Sequence, residues 1–259
     1  IVDQNVDLEI KRKLFEEFKK NFLDKNNDNK ILNTIHELIK DFQISNKIIL
    51  DLFDGVESDL KNKVTLETKA DLIIYCYRVA GTVGLMMAKI LNVKSKNSLK
   101  AAIDLGIAMQ LTNIARDVLE DAEMGRRYLP ESWVGDLQPS RIVALAKTPF
   151  TNEAVTITTA VKKLLNLADD YYKSGMEGFS YLPLRAHISI AIAAHVYRQI
   201  GVQLRLKQHG WHRGREVTSR FTKIICSIKA LGSLVQRGHC YVQHNAALHQ
   251  PIKGLPHVR

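Results

Sequence analysis

The chain has 259 residues, 46% of them hydrophobic, with 6 Pro, 14 Gly and 3 Cys, ample for one large core. Cys76, Cys226 and Cys240 stand at unrelated spacings, which excludes a disulfide framework and a zinc knuckle and points to a reducing, cytoplasmic setting. No run approaches about eighteen consecutive apolar residues, so no bilayer span is expected.

The net charge of +10 is uneven, because Arg205 to Arg259 holds ten Lys/Arg against one acid, Glu216. Such a basic end attracts an anionic surface and implies peripheral contact with a membrane. Nucleic acid is not an expected partner, since no zinc-finger, RNP or recognition-helix pattern accompanies the charge.

Leu8 to Leu23 reads as an amphipathic helix with Leu8, Leu14, Phe15, Phe18 and Phe22 inward and lysines outward. Residues 24–29 (DKNNDN) form a loop with Asn and Asp at turn positions. Leu32 to Phe42 and Ile48 to Leu60 give two more helices. The acids of the latter, Asp51, Asp54 and Asp59, follow no single helical spacing and are read as structural. Asp71 to Leu91 is a long helix with Tyr75, Val79, Thr82 and Met86 on one stripe. Its Ala80, Gly81 and Gly84 keep side-chain bulk low. A helical Gly costs ~1 kcal/mol relative to Ala, so two within four residues imply close approach by a helix or a long ligand.

Ala101 to Glu123, wound at ~100° per residue, places Gln110, Asn113, Asp117 and Asp121 within an arc of ~80°. The other faces carry Leu105, Ile107, Ala108, Leu111, Ile114, Ala115, Val118 and Leu119. A helix apolar nearly all round is expected to be buried, where unpaired carboxylates are costly. A hard cation such as Mg²⁺ relieves that cost and mounts phosphate oxygens. Arg126 to Pro130 ends the regular structure, with Arg126 and Arg127 one turn beyond Asp121. Short and long helices follow at 139–148, 151–176 and 186–206, broken by a turn at Leu182-Pro-Leu-Arg185. The chain reads as all-α. It has no repeat, linker or low-complexity tract, so 1–206 form one helical domain and 207–259 its basic C-terminal helix and tail.

The segment AIDLGIAMQLTNIARDVLEDAEMGRRYLP (102–130) resembles the second aspartate-rich signature of the squalene/phytoene synthase family, and above all its bacterial phytoene synthases. YCYRVAGTVG (75–84), Asp51 to Asp59, Tyr171-Tyr172 and Tyr197-Arg-Gln-Ile-Gly201 are similar too. The resemblance spans 1–206 and is strongest at 71–131. It implies an isoprenoid-synthase helical bundle around a central cavity. Two prenyl diphosphates would be joined there head to head, with release of diphosphate assisted by Mg²⁺ or Mn²⁺. The first expectation is two geranylgeranyl diphosphates giving phytoene, by way of a cyclopropylcarbinyl diphosphate. The alternatives are the same chemistry on two farnesyl diphosphates, of squalene or dehydrosqualene type, or a non-catalytic remnant or assembly factor on the same fold.

By the same resemblance Asp117 and Asp121 are metal-binding and catalytic, and Tyr75 faces the reacting cation. Arg116, Arg126 and Arg127 take the diphosphates, while Gln110 and Asn113 make polar contacts beside the motif. Val79, Ala80, Val83, Gly84 and Tyr197 wall the cavity. Ile1 to Asp7 resembles the tail of the family's first motif, D-x-x-x-D, which makes Asp3 a further metal ligand and leaves the first Asp outside the sequence. The chain starts at Ile1 rather than Met, so it is expected to be N-terminally incomplete and slow to turn over.

Overall fold

A computed structural model describes residues 7–25, 29–93, 95–238 and 244–258. Helices α1 (Leu8–Leu23), α2 (Lys30–Asp41) and α3 (Asn46–Ser58) open the fold, started by the side chains of Asp7, Asn29 and Ser45. Phe15, Phe18 and Phe22 of α1 close edge-on around Phe53 of α3, at ring separations of 5.9, 5.9 and 5.1 Å. Leu14, expected inward, lies one position off this stripe and is exposed.

The long helix expected at 71–91 runs from Lys69 to Ile90 in three parts: α4 (Lys69–Cys76), a π-turn (Tyr77–Gly81) and α5 (Thr82–Ile90). A capping box between Thr68 and Asp71 starts it. The extra residue of a π-turn rotates everything beyond it. Tyr75, Val79, Thr82 and Met86 therefore do not share a face, and Thr82 is wholly buried. This helix is long and apolar enough to cross a bilayer, although the sequence holds no unbroken apolar run of that length. In the fold it is a core element, set against α3 and α6 (Lys96–Arg116).

Helix α6 lies between α5 and α10 (Asn152–Glu177). Its approach to α5 is backbone on backbone. A Cβ at Gly84 would stand 2.2 Å from the carbonyl oxygen of Ala102, and one at Gly106 would stand 2.4 Å from that of Ala80. The expected continuous helix 101–123 is interrupted at Asp117 (φ −103°, ψ 16°), after which α7 (Val118–Glu123) begins. The ladder survives the break, with Asp117 N–H on Asn113 O at 2.9 Å and Asp121 N–H on Asp117 O at 2.8 Å.

Regular structure does not end at Arg126. Gly125, at φ +76°, turns the chain so that Arg126–Arg127 (β2) pairs in parallel with Val64–Thr65 (β1), in the register Val64 to Arg126 and Thr65 to Arg127. Short helices α8 (Glu131–Val134) and α9 (Pro139–Leu145) lead to α10, then to α11 (Leu184–Leu206) and α12 (Arg220–Gly232).

Residues 244–258 return to the core instead of trailing away. Tyr171 and Tyr77 donate their hydroxyls to the carbonyls of Leu248 and Pro256, at 2.6 and 3.2 Å. The fully buried Asp104 of α6 accepts from Ser174 Oγ at 2.5 Å and is bonded by His244 Nε2 at 2.9 Å and His249 Nε2 at 2.7 Å. Burial alone would raise the Asp104 pKa, but the hydrogen bonds of the two histidines and Ser174 outweigh it and hold the carboxyl below its ordinary value. A depressed folded-state pKa adds stability that is complete above the unfolded value, near ~4, and fades as pH falls through the folded value. Asp104→Asn is expected to cost about 3–5 kcal/mol at neutral pH, the scale of breaking a buried charged network. The gap from the parent chain should narrow on acidification below about pH 4. Urea unfolding across this range measures both, and a constant gap would refute the linkage.

Candidate active site

The π-turn and the close approach of α5 to α6 leave a cavity of about 430 Å³, within the range of small-ligand sites. Its wall is apolar: Val79, Ala80, Val83, Gly84 and Met87 on one side, Ala102, Leu105 and Met109 of α6 on the second, Ile190, Ala193 and Tyr197 of α11 on the third. Val79, Ala80, Val83, Gly84 and Tyr197 thus stand where the sequence placed them. Along α6 the lining extends from Asn113 to Ser98, about 22 Å at ~1.5 Å per residue.

Polar groups gather at the Asn113 end. Gln110 and Asn113 both line the cavity, and the buried Oδ1 of Asn113 has no hydrogen-bond partner among the described residues. Asp117 and Asp121 follow within the next two turns. Burial raises the Asp121 pKa to about 7, with Asp117, Glu120 and Asp59 pushing the same way and Arg126 opposing. The buried Arg116 forks onto Asp117 through Nε–Oδ1 at 2.7 Å and Nη2–Oδ2 at 2.5 Å. The hydrogen bond to Asp117 raises the Arg116 pKa against the opposing effect of burial.

Two assignments change. Arg127 was expected to meet a diphosphate. Successive residues of an extended strand point to opposite sides, and Arg127 is turned into the protein, donating to Gly135 O at 2.5 Å and Glu131 Oε2 at 3.1 Å. Arg126 is the one whose charge acts on Asp121. Tyr75 does not line the cavity, because it precedes the π-turn. Its ring stacks on Tyr128 at 4.8 Å and its hydroxyl donates to Asp59 at 3.1 Å, while Tyr128 donates to the other oxygen of Asp59 at 2.8 Å. Burial raises the Tyr75 pKa far above the ordinary phenol value, and Asp59 adds to this. Asp3 lies outside the described residues.

Two groups went unrecognised in the sequence. Arg215, between α11 and α12, brings Nε to 3.6 Å from Asp117 Oδ1. Asp59, read as structural, joins the field around Asp121 while fastening two tyrosines. No local pattern marks Arg215, which arrives by loop closure. The spacing of Asp59 after Asp51 and Asp54 carried no helical signal, because Asp59 is the residue that caps α3.

The squalene/phytoene synthase model matches residues 1–222. The chain belongs to the squalene/phytoene synthase family. It is 41% identical over 170 residues to 15-cis-phytoene synthase of Enterobacter agglomerans, covering 65% of this chain and 56% of that protein. With phytoene synthase of Pseudescherichia vulneris it shares 37% over 198 residues, covering 74% and 61%. The chain therefore spans little more than half the length of these relatives. Among solved structures, a dehydrosqualene synthase with bound ligand superposes with a TM-score of 0.75 at 26% identity, over 91% of this chain and 83% of that one. Squalene synthase HpnC of Alicyclobacillus acidocaldarius, at 18% identity and a TM-score of 0.66 over 80% and 77% of the two chains, shares the fold. The all-α isoprenoid-synthase architecture is thereby established.

Proposed function

We propose that this protein joins two geranylgeranyl diphosphates head to head (1′–1), through a cyclopropylcarbinyl diphosphate, to phytoene for carotenoid biosynthesis. One observation carries the reading: a long apolar cavity whose polar end is formed by Gln110 and Asn113, one turn along the same helix from Asp117 and its arginine Arg116. A substrate made of a hydrocarbon chain and a diphosphate head needs that juxtaposition. The identity to phytoene synthases supports the C20 chain length.

The donor set fits a hard divalent cation, Mg²⁺ or Mn²⁺. Asp117 and Asp121 offer carboxylates, and Asn113 a buried oxygen without a hydrogen-bond partner among the described residues. The resemblance of Ile1 to Asp7 to the family's first motif would add Asp3, which lies outside the described residues. When bound, such an ion draws charge from the diphosphate oxygens and eases heterolysis of the C1–O bond.

The chain's own groups do the rest. Arg116, Arg126 and Arg215 present guanidinium donors to the departing diphosphate, which leaves with the electron pair of the broken bond. The C2–C3 double bond of the second chain supplies the pair for the new C–C bond, and loss of a proton closes the cyclopropane. A second ionisation, rearrangement and proton loss complete the sequence. Val79, Val83 and Met109 keep water from the cations, and the Tyr197 ring offers them its negative face. Tyr75 acts at one remove, as a positioning residue that holds Asp59 near Asp121.

The same chemistry on two farnesyl diphosphates is favoured by one finding, the superposition on a dehydrosqualene synthase. Radiolabelled C15 and C20 diphosphates, incubated with the protein and Mg²⁺, separate the readings by the mass of the extracted hydrocarbon. A C40 product is expected. A C30 product alone would transfer the assignment to the second reading, and no product from either substrate would sink both.

A further inference from the structure

Helix α12 presents the wrong face to water. Its inner side, Cys226 and Ala230, is buried, with Cys226 Sγ 3.6 Å from His195 O of α11. On the opposite side Phe221, Ile224, Ile225, Ile228 and Leu231 are 71, 58, 39, 64 and 50% exposed. At ~100° per residue these five fall within an arc of about 120°, a continuous apolar stripe. Val217 before the helix and Val235 after it extend the stripe, at 71 and 82% exposure. Exposed Arg220 and Lys229 bracket it, and exposed Lys223 lies beyond Arg220. No Asp or Glu occurs from Val217 to the end of the sequence.

Charge decides the occupant. A second copy docked through this face would set basic rim against basic rim without an acid to answer it. An anionic bilayer supplies an apolar layer at the depth of Phe221 and Ile228 and phosphates at the level of Arg220 and Lys229. We propose that α12 is an interfacial anchor, lying in the headgroup plane of an anionic membrane with Phe221, Ile224 and Ile228 inserted among the acyl chains. Its inner face rests on α11, whose Ile190, Ala193 and Tyr197 line the cavity, so the membrane would lie one helix thickness from the cavity wall. The anchor stands independently of the condensation reaction.

The test is co-sedimentation of the protein with phosphatidylglycerol–phosphatidylcholine vesicles and with pure phosphatidylcholine vesicles, alongside light scattering for oligomeric state. Partitioning onto the anionic vesicles should exceed that onto the zwitterionic ones by on the order of 100-fold, the contribution of three basic residues. Phe221→Asp with Ile228→Asp should abolish binding with the melting temperature unchanged, since both side chains face solvent. Arg220→Gln with Lys229→Gln should reduce the preference for phosphatidylglycerol while leaving the apolar stripe in place. Equal partitioning onto both vesicle types, or undiminished binding by the Asp pair, overturns the proposal. So does a dimer that the Asp pair disperses in a protein that ignores lipid, because the stripe is then a contact between copies.

Discussion

Asp121→Asn should lower turnover at least ~100-fold, the scale of losing one strong transition-state contact. The substitution keeps the shape of the side chain and removes the ionised oxygen offered to a metal. It also removes a buried negative charge that desolvation and neighbouring Asp117 disfavour. The metal-free protein at pH 8 should therefore melt no lower than the parent and can melt higher. Asp117→Asn should lose as much activity but with a different thermal signature. Arg116 is buried and forked onto the Asp117 carboxylate, and an uncompensated guanidinium there costs about 3–5 kcal/mol. Activity and melting together distinguish a site residue from a structural one. Near-parental turnover by Asp121→Asn would dismiss the acid pair as the metal platform.

The helices and most of the cavity wall were legible because both follow from apolar periodicity. Ile103, Ile107, Leu111 and Ile114 are buried as a helix apolar nearly all round requires. What could not be read were departures from the 3.6-residue repeat. The π-turn at Tyr77–Gly81 moves Tyr75 off the stripe that holds Val79, and the break at Asp117 divides a helix whose sequence carries no Gly or Pro there. Each coincides with a contact that no local pattern displays, the first with α6 pressed against Ala80 and Gly84, the second with Arg116 forked onto the adjacent carboxylate. Arg126 and Arg127 look equivalent in sequence. They part only because a two-residue strand, formed with the distant Val64–Thr65, sends them to opposite sides. Arg215 depends on contact across nearly a hundred residues of chain and leaves no local trace.

Chain length is expected to be gauged at Ala102 rather than at the low-bulk residues Ala80, Gly81 and Gly84. Gly84→Val cannot act as a gauge, since its Cβ would stand 2.2 Å from the Ala102 carbonyl oxygen and the two helices would have to part. Ala80 lies beside Gly106, about 10 Å along α6 from Asn113 at ~1.5 Å per residue. Bulk there would obstruct a C15 and a C20 chain alike. Ala102 is eleven residues from Asn113, about 16 Å along the cavity. A farnesyl chain has twelve main-chain carbons and a geranylgeranyl chain sixteen, roughly 15 and 20 Å at ~1.3 Å of advance per C–C bond of ~1.5 Å. Only the longer chain must pass Ala102. Ala102→Phe should therefore penalise the C20 substrate by the ~1–3 kcal/mol of overpacking. The C40:C30 product ratio would fall roughly 5- to 150-fold. Ala80→Phe should depress both products together, and Gly84→Val should lower the melting temperature before any change in product. A folded Ala102→Phe protein with an unchanged ratio would show that chain length is measured elsewhere in the cavity.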